Sequence, residues 1–314
     1  MAVYTKLSIE NVQEIMSRYG VTNVSKISEL SGGSQNSNYQ IKCSDNDYVV
    51  SICEQNSTKE AINLTLLLEH LAAYNYSTSI LIRTIDKQAI SYWEGKPLIV
   101  KRYIKGIVEE DIPVHLVKLI GTALGKLHKI PSPDFIPDTI SYGIEYFHQV
   151  EQYAADTEYH TWIKEKQAFI ESYITEKLPK TLIHSDVFSS NVIIDNSEEF
   201  VTIMDFEEAT NYYRVFDVGM TIIGICKEGK GINFDKTKSL LNGYSQEIQL
   251  TKVEVESLQA FVVYAATAMS FWRHKNFNYT IPTPSLCNHY LELKIVADTI
   301  HDMSSKNFIH QLEL

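Results

Sequence analysis

Cysteine is scarce in this chain, and basic residues are outnumbered. The four cysteines, Cys43, Cys53, Cys226 and Cys287, stand far apart with no CxxC pair. This excludes a disulfide framework or a cysteine zinc site and fits a reducing compartment, the cytoplasm. Lysine and arginine total 28 against 39 acidic residues, a net charge of −11. Such a balance argues against nucleic acid or an anionic membrane as partner, since both need a basic face, and favours a cationic or zwitterionic one. Long hydrophobic runs are missing too. The longest, Phe261 to Trp272, is too short to span a bilayer and reads as a buried helix. The first residues, MAVYTKLSIENVQEIM, show no basic stretch followed by an apolar one, so no secretory leader is expected. Neither repeats nor low-complexity segments are visible. What is present, 314 residues of which 44% are hydrophobic, suffices for two cored lobes around a cleft.

The informative segment runs from Leu182 to Asp217, LIHSDVFSSNVIIDNSEEFVTIMDFEEATNYYRVFD. It holds a His-x-Asp at His184 and Asp186, an Asn five residues later at Asn191, a turn, and Asp205-Phe-Glu207. Moving a γ-phosphoryl group needs a carboxylate to orient the acceptor hydroxyl and oxygen ligands to hold Mg²⁺ against the ATP phosphates. Asp186 suits the first task, Asn191 and Asp205 the second. The short β-branched runs 181–184, 191–194 and 200–204 read as strands, and a hairpin of the last two presents Asp205 beside Asn191. Mg²⁺ takes few protein ligands and completes its shell with phosphate and water, so one Asp and one Asn are a sufficient set. Taken singly, each residue has a plainer reading: a turn former, a helix cap, or a buried His bonded to backbone. The conjunction carries the expectation.

Along the chain, a β-rich first third precedes a helical remainder. Ser8 caps a helix ending before Gly20, and Val24 to Leu30, Asn38 to Cys43 and Tyr48 to Cys53 read as strands. Ser57 to Glu60 is a capping box for a Leu-rich helix through Ala73. Strands at 80–85, 89–93 and 97–104 follow. Asp111 as cap and Pro113 in the first turn start a helix to His128, and further helices are expected near 142–158, 160–177, 235–248, 251–275 and 286–304. The expected organisation is an N-terminal lobe, 1–103, with a five-stranded sheet and one helix, then a helical lobe, 104–314, carrying the loop 184–191. The loop 31–37 between the first two strands, Ser-Gly-Gly-Ser-Gln-Asn-Ser, can cradle phosphate oxygens or be a simple hairpin turn.

Residues Gly33 to Tyr39, Tyr48 to Glu54, Gly95-Lys-Pro97 and Ser270-Phe-Trp-Arg273 make the chain resemble the aminoglycoside phosphotransferase and choline kinase superfamily, and within it the type II homoserine kinases. Leu30-Ser-Gly-Gly33 and Asp205-Phe-Glu with Tyr213-Arg-x-Phe-Asp217 are similar to choline and ethanolamine kinases. The resemblance implies an α+β, bilobal protein-kinase-like fold, with a small antiparallel sheet lobe and a larger helical lobe. It implies ATP and Mg²⁺ as cofactors, Asp186 as catalytic base, Asn191 and Asp205 as metal ligands, and Asp217 as a brace of the catalytic loop, with a helix cap as its plainer role. Nucleotide contacts are implied for Gly32, Gly33, Ser34, Asn36, Ser51, Lys101 and Tyr103. Glu207 reaches a second metal or the acceptor, or is a solvated strand-end residue.

Two departures stand out. Position 185 is Ser where many relatives have Gly, and Ser51 stands where many kinase-like enzymes place a phosphate-binding Lys, leaving Lys42 or Lys101 as substitutes. A nucleotide-binding pseudokinase is therefore an alternative. For the acceptor, His184, Glu207, Tyr213, Arg214, Asp217, Trp272 and Arg273 are candidates. Arg214 or Arg273 suits a carboxylate, while Trp272, Tyr212, Tyr213 and Tyr264 suit an aromatic cage for a quaternary ammonium, unless Phe271 and Trp272 are simply core. The expected enzyme acts on a small hydroxyl compound as a monomer or homodimer.

Overall fold

The computed structural model describes residues 5–30 and 36–314. Gly32, Gly33 and Ser34, expected at the nucleotide, lie outside the described residues. The chain divides into two compact units, Met1–Ile107 with Met204–Glu207, and Val108–Ile203 with Glu208–Leu314.

The first unit opens with α1 (Ile9–Ser17), whose capping box pairs the Ser8 hydroxyl with the Asn11 amide at 3.2 Å and the Asn11 side chain with the Ser8 amide at 2.9 Å. Then come β1 (Val24–Glu29), β2 (Asn36–Cys43), β3 (Asp47–Cys53), α2 (Thr58–Ala73), β4 (Leu81–Ile82), β5 (Ser91–Trp93) and β6 (Lys96–Arg102). The sheet has six strands where five were expected, in the order β1-β2-β3-β6-β4 with β5 also on β6. β6 is long enough to serve both: Leu81 pairs with Lys101 and Ser91 with Leu98. The strand expected over 80–85 is short because the chain turns at Thr84, whose amide bonds to Gln88 O at 3.0 Å. Glu94 and Gly95 make the β5–β6 turn with φ of 48° and 81°, which suits the twist of a two-residue hairpin.

Alternation decides what the sheet buries. Tyr39, Ile41, Val50, Ile52, Leu98 and Val100 pack with Val12, Ile15 and Met16 of α1. Cys53 and Ile99, on the opposite face, pack with Ala61 and Leu64 of α2. Two helices, not one, therefore sandwich the sheet.

The second unit is mainly helical. It contains α3 (Val114–Leu127), a 3₁₀ segment (Ile144–Gln149) leading into α4 (Val150–Ala154), α5 (Glu158–Glu171), β7 (Lys180–Ile183), β8 (Val192–Ile194), β9 (Val201–Ile203), β10 (Thr210–Tyr213) and α6 (Arg214–Ile225). β11 (Lys227–Glu228), β12 (Gly231–Ile232), α7 (Phe234–Ser245), α8 (Lys252–Lys275), α9 (Tyr290–His301) and α10 (Ser305–Leu312) complete it. Asp111 does not cap α3. Pro113 takes that position with no side-chain bond, and Asp111 instead pairs with Lys236. The helix expected over 142–158 breaks at Asp156, whose φ is 58°.

Glycines let helix backbones touch. A Cβ at Gly121 of α3 would stand 2.0 Å from Leu240 O of α7, and one at Gly243 of α7 would stand 1.9 Å from Lys118 O of α3. The run Leu258 to Phe271 of α8 is buried throughout, its few polar side chains included. Among the described residues no helix is long and apolar enough to cross a membrane.

Candidate active site

β7 lies antiparallel to β10, with Ile183 opposite Thr210, and β8 and β9 form a hairpin with Val192 opposite Ile203. The loop 184–191 leaves β7 through Ser185, whose φ is 66°. Left-handed backbone disfavours a residue with a Cβ, so the turn must be held from outside. Asp217 holds it. Fully buried in the first turn of α6, it accepts the His184 amide at 2.8 Å and the Ser185 amide at 2.7 Å. It is not the helix cap, a position taken by Tyr213. The Ser185 hydroxyl adds a bond to Glu208 O at 2.6 Å.

Sequence reading missed two supports. His128, at the end of α3, meets Asp217 Oδ2 through Nε2 at 3.1 Å and the Tyr244 hydroxyl through Nδ1 at 2.8 Å. Their only sequence signal was a histidine and a tyrosine inside apolar helices.

Beyond that turn, the Asp186 amide donates to His184 Nδ1 at 3.2 Å, so the His184 ring shapes the loop. Asn191 Nδ2 donates to Asp186 O at 2.8 Å and Asp186 Oδ2 at 3.1 Å. An amide nitrogen between two oxygens fixes which end of the side chain is which, and leaves Oδ1 available as a hard oxygen ligand. Gly224 of α6 lies under the loop, where a Cβ would stand 2.1 Å from Val187 O.

Asp205 belongs to the first unit, two residues past β9, with φ of 68°. Glu207, in the same unit, accepts bonds from Asn36 Nδ2 at 2.5 Å and Asn56 Nδ2 at 3.3 Å. Burial, then the charge of Asp205, pushes its carboxyl up to about 7, while Lys101 acts in the opposite direction. Glu207 is thus not a solvated strand-end residue, and Asn56 is a partner that sequence spacing gave no reason to suspect. Ser51 is buried, its Oγ without a partner among the described residues, and Tyr103 is half-buried with its amide on Asp47 O at 3.0 Å. Among the described residues no cluster of three or more His, Cys, Asp or Glu side chains is placed to hold a metal. Any Mg²⁺ would need phosphate and water to fill its shell.

The acceptor candidates separate clearly. Arg214 donates to both oxygens of Glu254 at 2.6 Å and to Gln249 O at 3.0 Å, so its guanidinium is committed to the core and is not an acceptor ligand. Tyr212 shares hydrogen bonds with Glu145 at 2.9 Å and Tyr264 at 3.1 Å, and Lys180 Nζ sits 4.6 Å from the Tyr213 ring centroid. Tyr212 and Tyr213 already face a cation of the chain itself, and the buried Tyr264 hydroxyl is bonded to Tyr212 and the Ile144 amide, so the three do not form an open cage. Trp272 packs edge-on against Phe277 at 5.6 Å.

Arg273 differs. Its side chain is only 12% exposed, and all its hydrogen bonds among the described residues run through Nη1, to Glu292 Oε2 at 2.9 Å and His289 O at 3.5 Å. Nε and Nη2 are left over. Burial lowers its pKa, and the charges of Glu292 and Asp186 oppose that effect, so the Asp186 carboxylate is within electrostatic reach. Glu292 is also paired with Lys227 at 2.7 Å and His289 Nε2 at 3.4 Å.

Comparison with known proteins fits this geometry. Residues 26–239 match the model of the phosphotransferase enzyme family, APH. The homoserine kinase of Paramagnetospirillum magneticum is 25% identical over 300 residues, 90% of each chain. A microcompartment-associated aminopropanol kinase superimposes with a TM-score of 0.75 at 15% identity, over 97% of this chain and 100% of that one. A choline kinase from Streptococcus pneumoniae gives 0.67 at 13%, over 92% and 98%. The fold is that of the protein-kinase-like phosphotransferases. The chain belongs to the phosphotransferase enzyme family, and is an enzyme that transfers phosphate to a hydroxyl group.

Proposed function

We propose that this enzyme uses ATP and Mg²⁺ to phosphorylate the side-chain hydroxyl of a small zwitterionic amino acid, with homoserine as the first candidate. The observation that carries the reading is Arg273. A mostly buried guanidinium with Nε and Nη2 unspoken for, electrostatically coupled to Asp186, offers a flat two-donor edge to a carboxylate. An amino acid carries both charges at fixed separation, whereas choline carries no carboxylate. The homoserine kinase relative supports the same choice.

In this reading Asp186 accepts a hydrogen bond from the acceptor hydroxyl and takes its proton as the oxygen attacks the γ-phosphorus. A new P–O bond forms to the acceptor, the bond from γ-phosphorus to the β-phosphate oxygen breaks, and ADP leaves with that electron pair. Asn191 keeps the Asp186 carboxylate oriented through Nδ2 and presents Oδ1 as a ligand. Asp205 supplies the anionic ligand. Bound Mg²⁺ neutralises charge on the triphosphate.

The test is ADP release with homoserine, choline, ethanolamine, aminopropanol and spectinomycin. Homoserine should give the highest kcat/KM. Preference for choline or ethanolamine would overturn the zwitterion reading, and ATP binding without turnover on any of the five would favour a pseudokinase.

A further inference from the structure

The third strand lacks the lysine that would meet ATP phosphates, and a lysine stands on the neighbouring strand β6. Ser51 pairs with Ile99 of β6, and Val49 with Lys101. Side chains two residues apart share a face, so Ser51, Cys53, Ile99 and Lys101 all lie on the side opposite α1. Ser51 and Lys101 are diagonal neighbours there, roughly 7–8 Å apart, a distance a lysine stem spans easily. The Ser51 hydroxyl, buried and without a partner among the described residues, marks a place on this face where the sheet alone does not satisfy a polar atom.

Glu207 covers the same face. It accepts from Asn36, the residue paired with Cys53, and from Asn56. The charges of Lys101 and Glu207 act on the Cys53 thiol in opposite directions, so both lie within electrostatic reach of this face. Lys101 is half-buried and makes no hydrogen bond or ion pair among the described residues. It is an uncommitted cation beside the segment 205–207.

We propose that Lys101 is the nucleotide's phosphate-binding lysine, supplied from β6 in place of the side chain that Ser51 lacks, with Glu207 as its electrostatic partner when no nucleotide is bound. The inference rests on the kinase reading above and extends it to a residue for the triphosphate. An ammonium shared between a carboxylate and a polyphosphate gains by moving to the phosphates, which carry more charge and several oxygens.

Equilibrium binding of ATP, ADP and adenosine, each with Mg²⁺, separates the possibilities. Lys101→Met should weaken ATP about 10- to 100-fold, roughly the effect of losing one charge-assisted contact, and leave adenosine within about twofold. Lys101→Arg, which keeps the charge, should hold ATP within about fivefold. If Lys101→Met does not fold, the ratio of ATP to adenosine affinity in Lys101→Gln answers the same question. Unchanged ATP affinity in the neutral variants, or equal loss for adenosine, would overturn the assignment. Wild-type protein that binds neither nucleotide would instead sink the kinase reading itself.

Discussion

Asp217 Oδ1 receives the Ser185 amide at 2.7 Å, so a carboxylate 32 residues away fixes the left-handed turn that aims Asp186. Replacing Asp217 by Asn removes one acceptor oxygen and the charge while keeping the shape. The buried amides of His184 and Ser185 would then compete for a single oxygen. Asp217→Asn should cost about 1.5–3 kcal/mol in urea unfolding and lower kcat about tenfold to a hundredfold through misplacement of Asp186. Full stability would show that the brace is unimportant.

Asp186→Asn removes the proton acceptor but leaves the Asn191 contact replaceable by an amide oxygen. Turnover should fall by roughly 10²–10⁴ while Mg·ATP affinity stays within a few-fold. Single-turnover phosphoryl transfer measured by quench flow checks this. A near-normal rate would remove Asp186 from the mechanism.

Arg273→Ala should raise acceptor KM by an amount equivalent to about 2–5 kcal/mol, with ATP KM little changed, because a buried bidentate pair to a carboxylate is lost. Tyr213→Ala is the control. A quaternary-ammonium substrate predicts the reverse, a mild Arg273 effect and a loss of about 0.5–2 kcal/mol on removing the tyrosine.

His274 gives a pH signature. It stacks on Tyr159 at 3.8 Å between centroids and is ringed by Tyr153, Tyr279 and Tyr290, and burial lowers its pKa from 6.5 to about 4. A histidine whose folded pKa is depressed binds fewer protons folded than unfolded. Its contribution is therefore present above pH 6.5 and lost as pH falls towards 4. The wild type should lose about 2 kcal/mol more than His274→Phe between pH 7 and pH 4.5, allowing for partial solvent screening. Urea midpoints for both proteins across that range decide it.

Local chemistry was legible in the sequence; distant pairing was not. Ser8, Ser57 and Thr251 all sit in capping boxes, and two of these, Ser8 and Ser57, were read as caps because the signal lies within four residues. The hairpin after Asn191 followed from alternating apolar runs and a polar turn. Asp111 failed as a cap because its carboxylate is drawn to Lys236, 125 residues on. Arg214 was offered to the acceptor because Glu254, which claims it, stands on another helix. The open tyrosine cage fails for the same reason: nothing in the spacing of Tyr212 and Tyr213 announces Lys180 against their rings. α10 and the β11–β12 hairpin carry too few residues for a periodic pattern to register.

Asp217 and Gly224 are seven residues apart on α6, about two helical turns, and each holds the loop 184–191, one by accepting its amides and one by lying flush beneath Val187. A second glycine on the same helix, Gly219, brings α6 against the backbone of α8 at Phe261. The loop is therefore clamped at two points to a helix that is itself locked to the longest helix of the unit. Hydrogen exchange at the His184 and Ser185 amides should be as slow as in the centre of α8, opening only with the whole unit. Whatever moves during turnover, Asp186 travels with its helices as part of one stiff block.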